Sequence, residues 1–285
     1  MEFSVIILIG YLTKKFFERD TGKVLSKLVV NFTLPAAIFY SFSTSRFHFS
    51  KFAFTATGVL SNLLLIFLAF LFFSRIKDPR VRIPIILSFV GFNTGLFMYP
   101  LAESLWGEAS VVNFALFDLG NSFFIFGVGK AVAEQNKKGI LKVFTFPPFL
   151  FLLVGITMNS LKVVPPGIVL DVARTIKNAN AFLVFFLVGY YLSFRSVYDK
   201  FRLILMAGLV KYAAGLLVAL IAVKIFSLSS FEEMNLFLSP LLPSAIMTLV
   251  YSVEKGYDAE LASGLITFFT IVSTSIIMAV NYTWG

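Results

Sequence analysis

The stretch that decides the fold is Gly91-Phe92-Asn93-Thr94-Gly95-Leu96-Phe97-Met98-Tyr99-Pro100, inside an apolar run over 81–105. Pro100 lacks an N–H donor, its ring clashes with the carbonyl of residue 96, and Gly91 and Gly95 favour unwinding. An interrupted helix leaves carbonyls and amides without partners. In a membrane that is tolerated only where they line a cavity or are buried in protein. The half-helix that starts near the break aims free N–H groups and the positive end of its dipole at the gap, a setting for an anion. Asn93 adds amide donors. The plainer reading is a proline kink relieved by the Asn93 and Thr94 side chains. A partner break favours the binding site: Ser239-Pro240-Leu241-Leu242-Pro243-Ser244-Ala245 carries two prolines three apart in the run 232–252. Two such helices crossing at their breaks place four half-helix ends around one point.

The surrounding chain is built for lipid. Of 285 residues, 58% are hydrophobic and 14% charged, where a soluble domain has about 45–50% and about 25%. Disorder, collagen and an ordinary soluble enzyme are excluded. Apolar runs recur at 2–17, 22–43, 51–73, 81–105, 109–130, 140–160, 167–193, 201–226, 232–252 and 260–283. Ten crossings of roughly 20 residues take up about 200 positions, which leaves no length for a soluble catalytic domain. Helices are expected, since lipid-exposed backbone must satisfy its own hydrogen bonds and the alternation of a barrel is absent. Met1-Glu2 and a short apolar run precede Lys14-Lys15, the reverse of a signal peptide, so the first run is read as a retained span.

The formal charge of +9 is distributed unevenly. Basic residues fill the connections after span 1 (Lys14, Lys15, Arg19, Lys23, Lys27), span 3 (Arg75, Lys77, Arg80, Arg82), span 5 (Lys130, Lys137, Lys138, Lys142), span 7 (Arg195, Lys200, Arg202) and span 9 (Lys255). The alternate connections hold Arg46, Lys51, Lys162 and Lys224. The positive-inside rule makes the rich loops cytoplasmic and puts both termini outside a cell inner or plasma membrane. No nucleic-acid platform of interleaved basic and aromatic residues is present. The chain has no Cys and one His, His48, an incidental loop residue, so no metal site is expected.

Pro100 and Pro243 lie half a chain length apart, and Asn31 with Pro35 in span 2 has a looser echo in Asn178 with Phe182 in span 7. Five spans is an odd number, so the second half enters the membrane inverted, the plan of many secondary transporters. The expected fold is an all-α integral membrane protein of ten transmembrane helices in two inverted five-helix repeats, 1–130 and 131–285, with broken crossing helices 4 and 9.

Further matches run along the chain: Gly10-Tyr11-Leu12, Asn31-Phe32-Thr33-Leu34-Pro35, Asn93-Thr94 with Pro100, Trp106-Gly107, Leu242-Pro243-Ser244-Ala245, Gly256-Tyr257-Asp258 and Leu261-Ala262. In these the sequence resembles the auxin efflux carrier family in its short microbial form, within the superfamily of bile-acid, auxin and arsenite carriers. The resemblance implies a scaffold of spans 1–2 and 6–7 and a transport domain of spans 3–5 and 8–10. It also implies a carboxylate-bearing substrate, such as malate or an auxin-like acid, at the crossing of spans 4 and 9, and a homodimer through the scaffold. The long hydrophilic loop of plant members is absent, since the connection after span 5 covers about Ala131 to Ile140. Phe182 stands where the family often has Pro.

The site expected from residues and resemblance together comprises Asn93, Thr94, Gly95, Pro100, Pro243, Ser244 and Asn121. Asp118 and Lys211 lie at bilayer depth, where a charge costs roughly 2.5–3.5 kcal/mol and usually pairs or lines a pathway. Asp118 is read as a proton carrier or a fixed hydrogen-bond anchor, and Lys211 as a partner for substrate or acid or as a snorkelling side chain. Asn31, Asn178 and Asn180 complete the polar candidates. Thr267, Thr270 and Ser273 to Ser275 are open to a cavity, a Na⁺ site or helix packing, and Glu103 to an entrance. No cofactor is expected, and coupling to H⁺ or Na⁺ stays open. No phosphate-binding Gly-x-x-x-x-Gly-Lys loop and no catalytic motif is found, so energy comes from a gradient or from the substrate. A sodium-coupled bile-acid-type symporter and a non-transporting membrane sensor are the alternatives.

Overall fold

The computed structural model describes residues 2–18, 21–44, 52–136 and 144–284. Arg19, Arg46, His48, Lys51, Lys137, Lys138 and Lys142 lie outside them. Every predicted apolar run is helical over most of its described length, and among the described residues there is no strand. The helices are α1 (Glu2–Thr13), α2 (Thr21–Thr44), α3 (Phe52–Phe73), α4 (Pro79–Ser88), α5 (Tyr99–Trp106), α6 (Glu108–Glu134), α7 (Pro147–Ser160), α8 (Gly167–Tyr191), α9 (Phe194–Asp199), α10 (Phe201–Ile225), α11 (Ser230–Leu238), α12 (Met247–Glu254) and α13 (Ala259–Trp284). Six of them, α2, α3, α6, α8, α10 and α13, are long and apolar enough to cross a membrane unaided. The runs 81–105 and 232–252 are each divided in two, as α4 with α5 and α11 with α12.

Polar residues punctuate the apolar helices where orphan amides need acceptors. Asp78 caps α4 through the Arg80 N–H at 2.8 Å, ahead of Pro79 in the first turn. Ser229 and Glu232 form a reciprocal capping box on α11. Asp258 accepts the Leu261 N–H at 2.9 Å at the start of α13.

The helices are apolar on their outer surfaces. In α10 the buried face is Ile204, Ala207, Gly208, Lys211, Ala214, Gly215, Ala219 and Ala222, whereas Met206, Leu209, Leu216, Leu217, Leu220 and Ile221 are exposed. Small residues inside and large apolar ones outside is the pattern of helices that pack closely in lipid.

The chain forms two compact units. The first comprises Met1–Ser50, Gly95–Ala115 and Val143–Leu192, and the second Lys51–Thr94, Leu116–Lys142 and Ser193–Gly285. In the first, α1 lies along α8 and α2 along α7. The approach is close in both pairs: a Cβ added at Gly10 of α1 would meet the Phe186 carbonyl of α8, and one at Gly155 of α7 would meet Phe42 of α2. In the second unit α3 packs against α10 and the segment Ser239–Leu241, and α13 packs against α4, α9, α10 and α12.

Candidate functional site

Both helix breaks belong to the second unit. After Ser88, the N–H groups of Phe89 and Val90 close tight bonds of 3.0 Å onto the Ile86 and Leu87 carbonyls. Gly91 then turns the chain at φ +87°, a conformation that side chains disfavour, and an added Cβ there would fall on the Ile125 side chain. In the other break, Leu242 is extended after the short turn Ser239–Leu241. The two interrupted stretches meet as an antiparallel bridge between Phe92 and Ser244. The Asn93 N–H donates to the Pro243 carbonyl at 2.8 Å, and the Ala245 N–H donates to the Gly91 carbonyl at 3.3 Å. Two helices that cannot satisfy their own backbones at these positions satisfy each other.

Side chains complete the first break. The Asn121 amide donates to the Phe92 carbonyl at 2.9 Å and accepts the Phe92 N–H at 2.9 Å, as a neighbouring strand would. Asn62 accepts the Gly91 N–H at 2.8 Å, and its Nδ2 donates to the Gly58 carbonyl at 2.9 Å and to Asn121 Oδ1 at 3.2 Å. Asp118 accepts from the Thr94 hydroxyl and from Asn121 Nδ2, the latter at 2.8 Å. All these side chains are buried.

The charges follow the helix dipoles. Asp118 sits at Thr94, the start of the wide turn Thr94–Met98 that leads into α5, where a helix end is positive. Lys211 sits at the opposite pole of the break. Its Nζ is 3.4 Å from the Ser88 carbonyl, 4.5 Å from the Phe92 ring centre and 5.8 Å from that of Phe269. The Ser244 hydroxyl also donates to the Ser88 carbonyl, and Thr248 donates to the Leu87 carbonyl at 3.1 Å. An anion at a helix start and a cation at a helix end each oppose the local partial charge.

The second break is held by hydroxyls. Ser273 donates to the Leu241 carbonyl at 2.7 Å and pairs with Tyr212 at 2.8 Å, and Tyr212 donates to the Phe269 carbonyl at 2.7 Å. Ser239 bonds back to the Asn235 carbonyl at 2.8 Å.

The structure thus brings Asn93, Thr94, Asp118, Asn121, Lys211, Pro243 and Ser244 to one place, with changed tasks. The amides expected to face a substrate are engaged: Gly91 by Asn62, Phe92 by Asn121, Asn93 by Pro243, and Thr94 by the Phe92 carbonyl at 3.0 Å. Thr94, Ser244 and Asn121 are held in backbone and carboxylate contacts. The Asn93 side chain is different: it is 4% exposed and makes no hydrogen bond among the described residues. Lys211 makes no ion pair among the described residues.

Pro100 lies outside the break, in the first turn of α5, where its missing N–H accounts for the wide turn before it. The bridge sets Pro243 opposite Asn93, so the two prolines hold different places. Gly95 packs against Leu34 within the first unit. That unit also holds the remaining asparagines. Asn31 is exposed and bonds back to the Lys27 carbonyl at 2.8 Å, Asn178 is exposed, and buried Asn180 accepts from Thr33 at 2.7 Å. Glu103 pairs with Lys177 at 3.1 Å. Of the span-10 hydroxyls, Thr267 accepts the Ser193 N–H, while Thr274 and Ser275 bond back along α13. Asn62 and Tyr212, whose hydrogen bonds support the two breaks, are positions that sequence reading passed over. The signal for Asn62 was present, since it is the one amide side chain in the run 51–73.

Residues 2–138 match the family described as membrane transport protein. An uncharacterized transporter of Methanocaldococcus jannaschii is 24% identical, the match covering 99% of this chain and 95% of the relative. A second uncharacterized transporter, from Methanothermobacter thermautotrophicus, is 25% identical over 94% of this chain and 92% of its own. The first part of this multi-pass membrane chain is thus similar to the membrane transport protein family, and nearly its whole length is similar to two transporters.

Proposed function

We propose that the chain is a secondary transporter that moves a small organic anion, a carboxylate such as malate or an auxin-like acid, by alternating access. The observation that carries this reading is the joined pair of helix breaks with the Asn93 amide left unengaged beside it. Broken helices near mid-membrane are where such carriers bind their substrates. The Asn93 side chain supplies donors for a carboxylate, and the surrounding bridge keeps the backbone fixed while the substrate comes and goes.

The fold reading that goes with this function is ten spans in two inverted repeats. Two features support it. Gly10 on α1 meets α8 as Gly155 on α7 meets α2, an exchange of first and second helices between repeats. Thr33 and Asn180, bonded to each other, are 147 positions apart, close to half the chain. The unit holding both breaks would be the transport domain and the unit of α1, α2, α7 and α8 the scaffold and dimer surface. The basic loops would be cytoplasmic and both termini outside.

Uptake into proteoliposomes of a panel of labelled small carboxylates, malate first, tests the function. Saturable uptake of at least one is expected, and none above protein-free vesicles would overturn the reading. Asn93→Ala at equal protein density is expected to lose at least tenfold in uptake. Full uptake in that variant would move the site elsewhere. A reporter enzyme fused after Gly285 that proved active only in the cytoplasm would overturn the topology.

A further inference from the structure

Lys211 comes from the middle of α10, where its neighbours on the buried face are Gly208, Ala207, Ala214 and Gly215. It is fully buried. An ammonium carries three donors and no acceptor, so its surroundings must be acceptors. They are the Ser88 carbonyl at 3.4 Å and the faces of Phe92 and Phe269. Ring faces attract cations through their quadrupole. The Ser88 carbonyl, which also accepts from the Ser244 hydroxyl, stands at the end of a helix cut short, where the dipole is negative. Among the described residues no carboxylate comes within 4 Å of this ammonium. The hydroxyls of Ser244 and Thr248 donate to the same helix end. The end of α4 is thus a negative helix pole with no acid, where one carbonyl and two ring faces surround a single cation. In cation-coupled carriers, half-helix ends and unwound carbonyls of this kind hold the coupling ion.

We propose that the Lys211 ammonium is a tethered cation. It occupies the place at the end of α4 that an exchangeable Na⁺ would take, so this chain assembles its crossing and works without Na⁺. The inference rests on the transporter reading for its consequence in coupling, and its test does not use a carboxylate.

The purified full-length protein is unfolded by heat in NaCl and in choline chloride of equal ionic strength. The wild type is expected to unfold at the same temperature in both. Lys211→Ala is expected to unfold several degrees lower in choline, and to recover saturably with added Na⁺ or propylammonium, since a ligand of the folded state alone raises its stability. Lys211→Met, which fills the space without charge, is expected to stay low and to ignore both ions. A saturable rise of the wild-type unfolding temperature with Na⁺ would overturn the proposal. So would a Lys211→Met protein as stable as the wild type in choline, because the lysine would then be a space-filling side chain. Should Lys211→Ala fail to fold, the wild-type titration and Lys211→Met decide. Failure of the carboxylate panel leaves these readouts intact, and their failure leaves the panel intact.

Discussion

The two breaks that meet at Phe92 and Ser244 are built from different chemistry. The first is held by amides and charges: Asn62 and Asn121 act as a surrogate strand for Gly91 and Phe92, while Asp118 and Lys211 oppose the two helix ends. The second is held by a tyrosine and a serine that reach the carbonyls of Phe269 and Leu241. An amide side chain can donate and accept at once, so it can pair with a whole peptide unit. A serine hydroxyl here serves one carbonyl. The first break is therefore the more completely prescribed, and it also carries Asn93. A site whose backbone is fixed from behind presents its free side chain without rearrangement, which favours binding.

Asn121→Ala should separate the breaks most sharply. It strands the Phe92 N–H in the interior, worth about 1–3 kcal/mol when left unsatisfied, leaves the Phe92 carbonyl only the Thr94 N–H, and removes a donor from Asp118. A loss of about 2–4 kcal/mol in unfolding free energy is expected from the stranded N–H and the lost side-chain bonds together, read by denaturation in detergent and by loss of the folded fraction on gel filtration. Asn62→Ala strands the Gly91 N–H alone among backbone groups of the break, so about 1–3 kcal/mol is expected. In the second break, Ser273→Ala leaves Tyr212 its bond to the Phe269 carbonyl and exposes only the Leu241 carbonyl. About 1 kcal/mol is expected there. If Ser273→Ala proved as damaging as Asn121→Ala, the two breaks would be equals and the contrast would fail.

Asp118→Asn probes charge rather than hydrogen bonding. The Asn side chain can still accept from the Thr94 hydroxyl, while the charge that opposes the helix dipole is lost. At a buried helix start that is worth up to about 2 kcal/mol. A destabilisation of about 1–2 kcal/mol with the fold retained is expected, and a variant as stable as the wild type would show that hydrogen bonding alone holds this end.

The interruptions were legible in the sequence because lipid is an unforgiving solvent. Gly91, Pro240, Pro243, Asp118 and Lys211 each break an apolar run, and each lies at the place where the structure departs from a plain helix or buries a charge. Their partners were not legible. Asn93 bonds Pro243, and Ser244 bonds Ser88, across about half the chain, and no local pattern encodes such pairings. That is why amides expected to face a ligand turned out to face each other, and why Pro100, outstanding as the one proline of its motif, lies in an ordinary helix start. The apolar spacing likewise exposes the span positions, and the short first run ahead of Lys14-Lys15 returns as the short helix α1.

Neighbouring positions of α3 offer the finest test of what holds the first break. Ser61 and Asn62 are both buried, but the Ser61 hydroxyl has no hydrogen-bond partner among the described residues. Ser61→Ala therefore removes a desolvated polar atom that gains nothing in the folded state. Its effect should be neutral or stabilising, by up to about 1 kcal/mol. The methyl that replaces it is smaller than the lost group by one oxygen, so the cavity left is slight. Both variants shorten a side chain on the same helix, one residue apart. If packing of α3 governs the break, Ser61→Ala and Asn62→Ala will destabilise alike. If the bond to the Gly91 amide governs it, only Asn62→Ala will, and the difference measures what one side-chain amide contributes to keeping a helix open in the membrane.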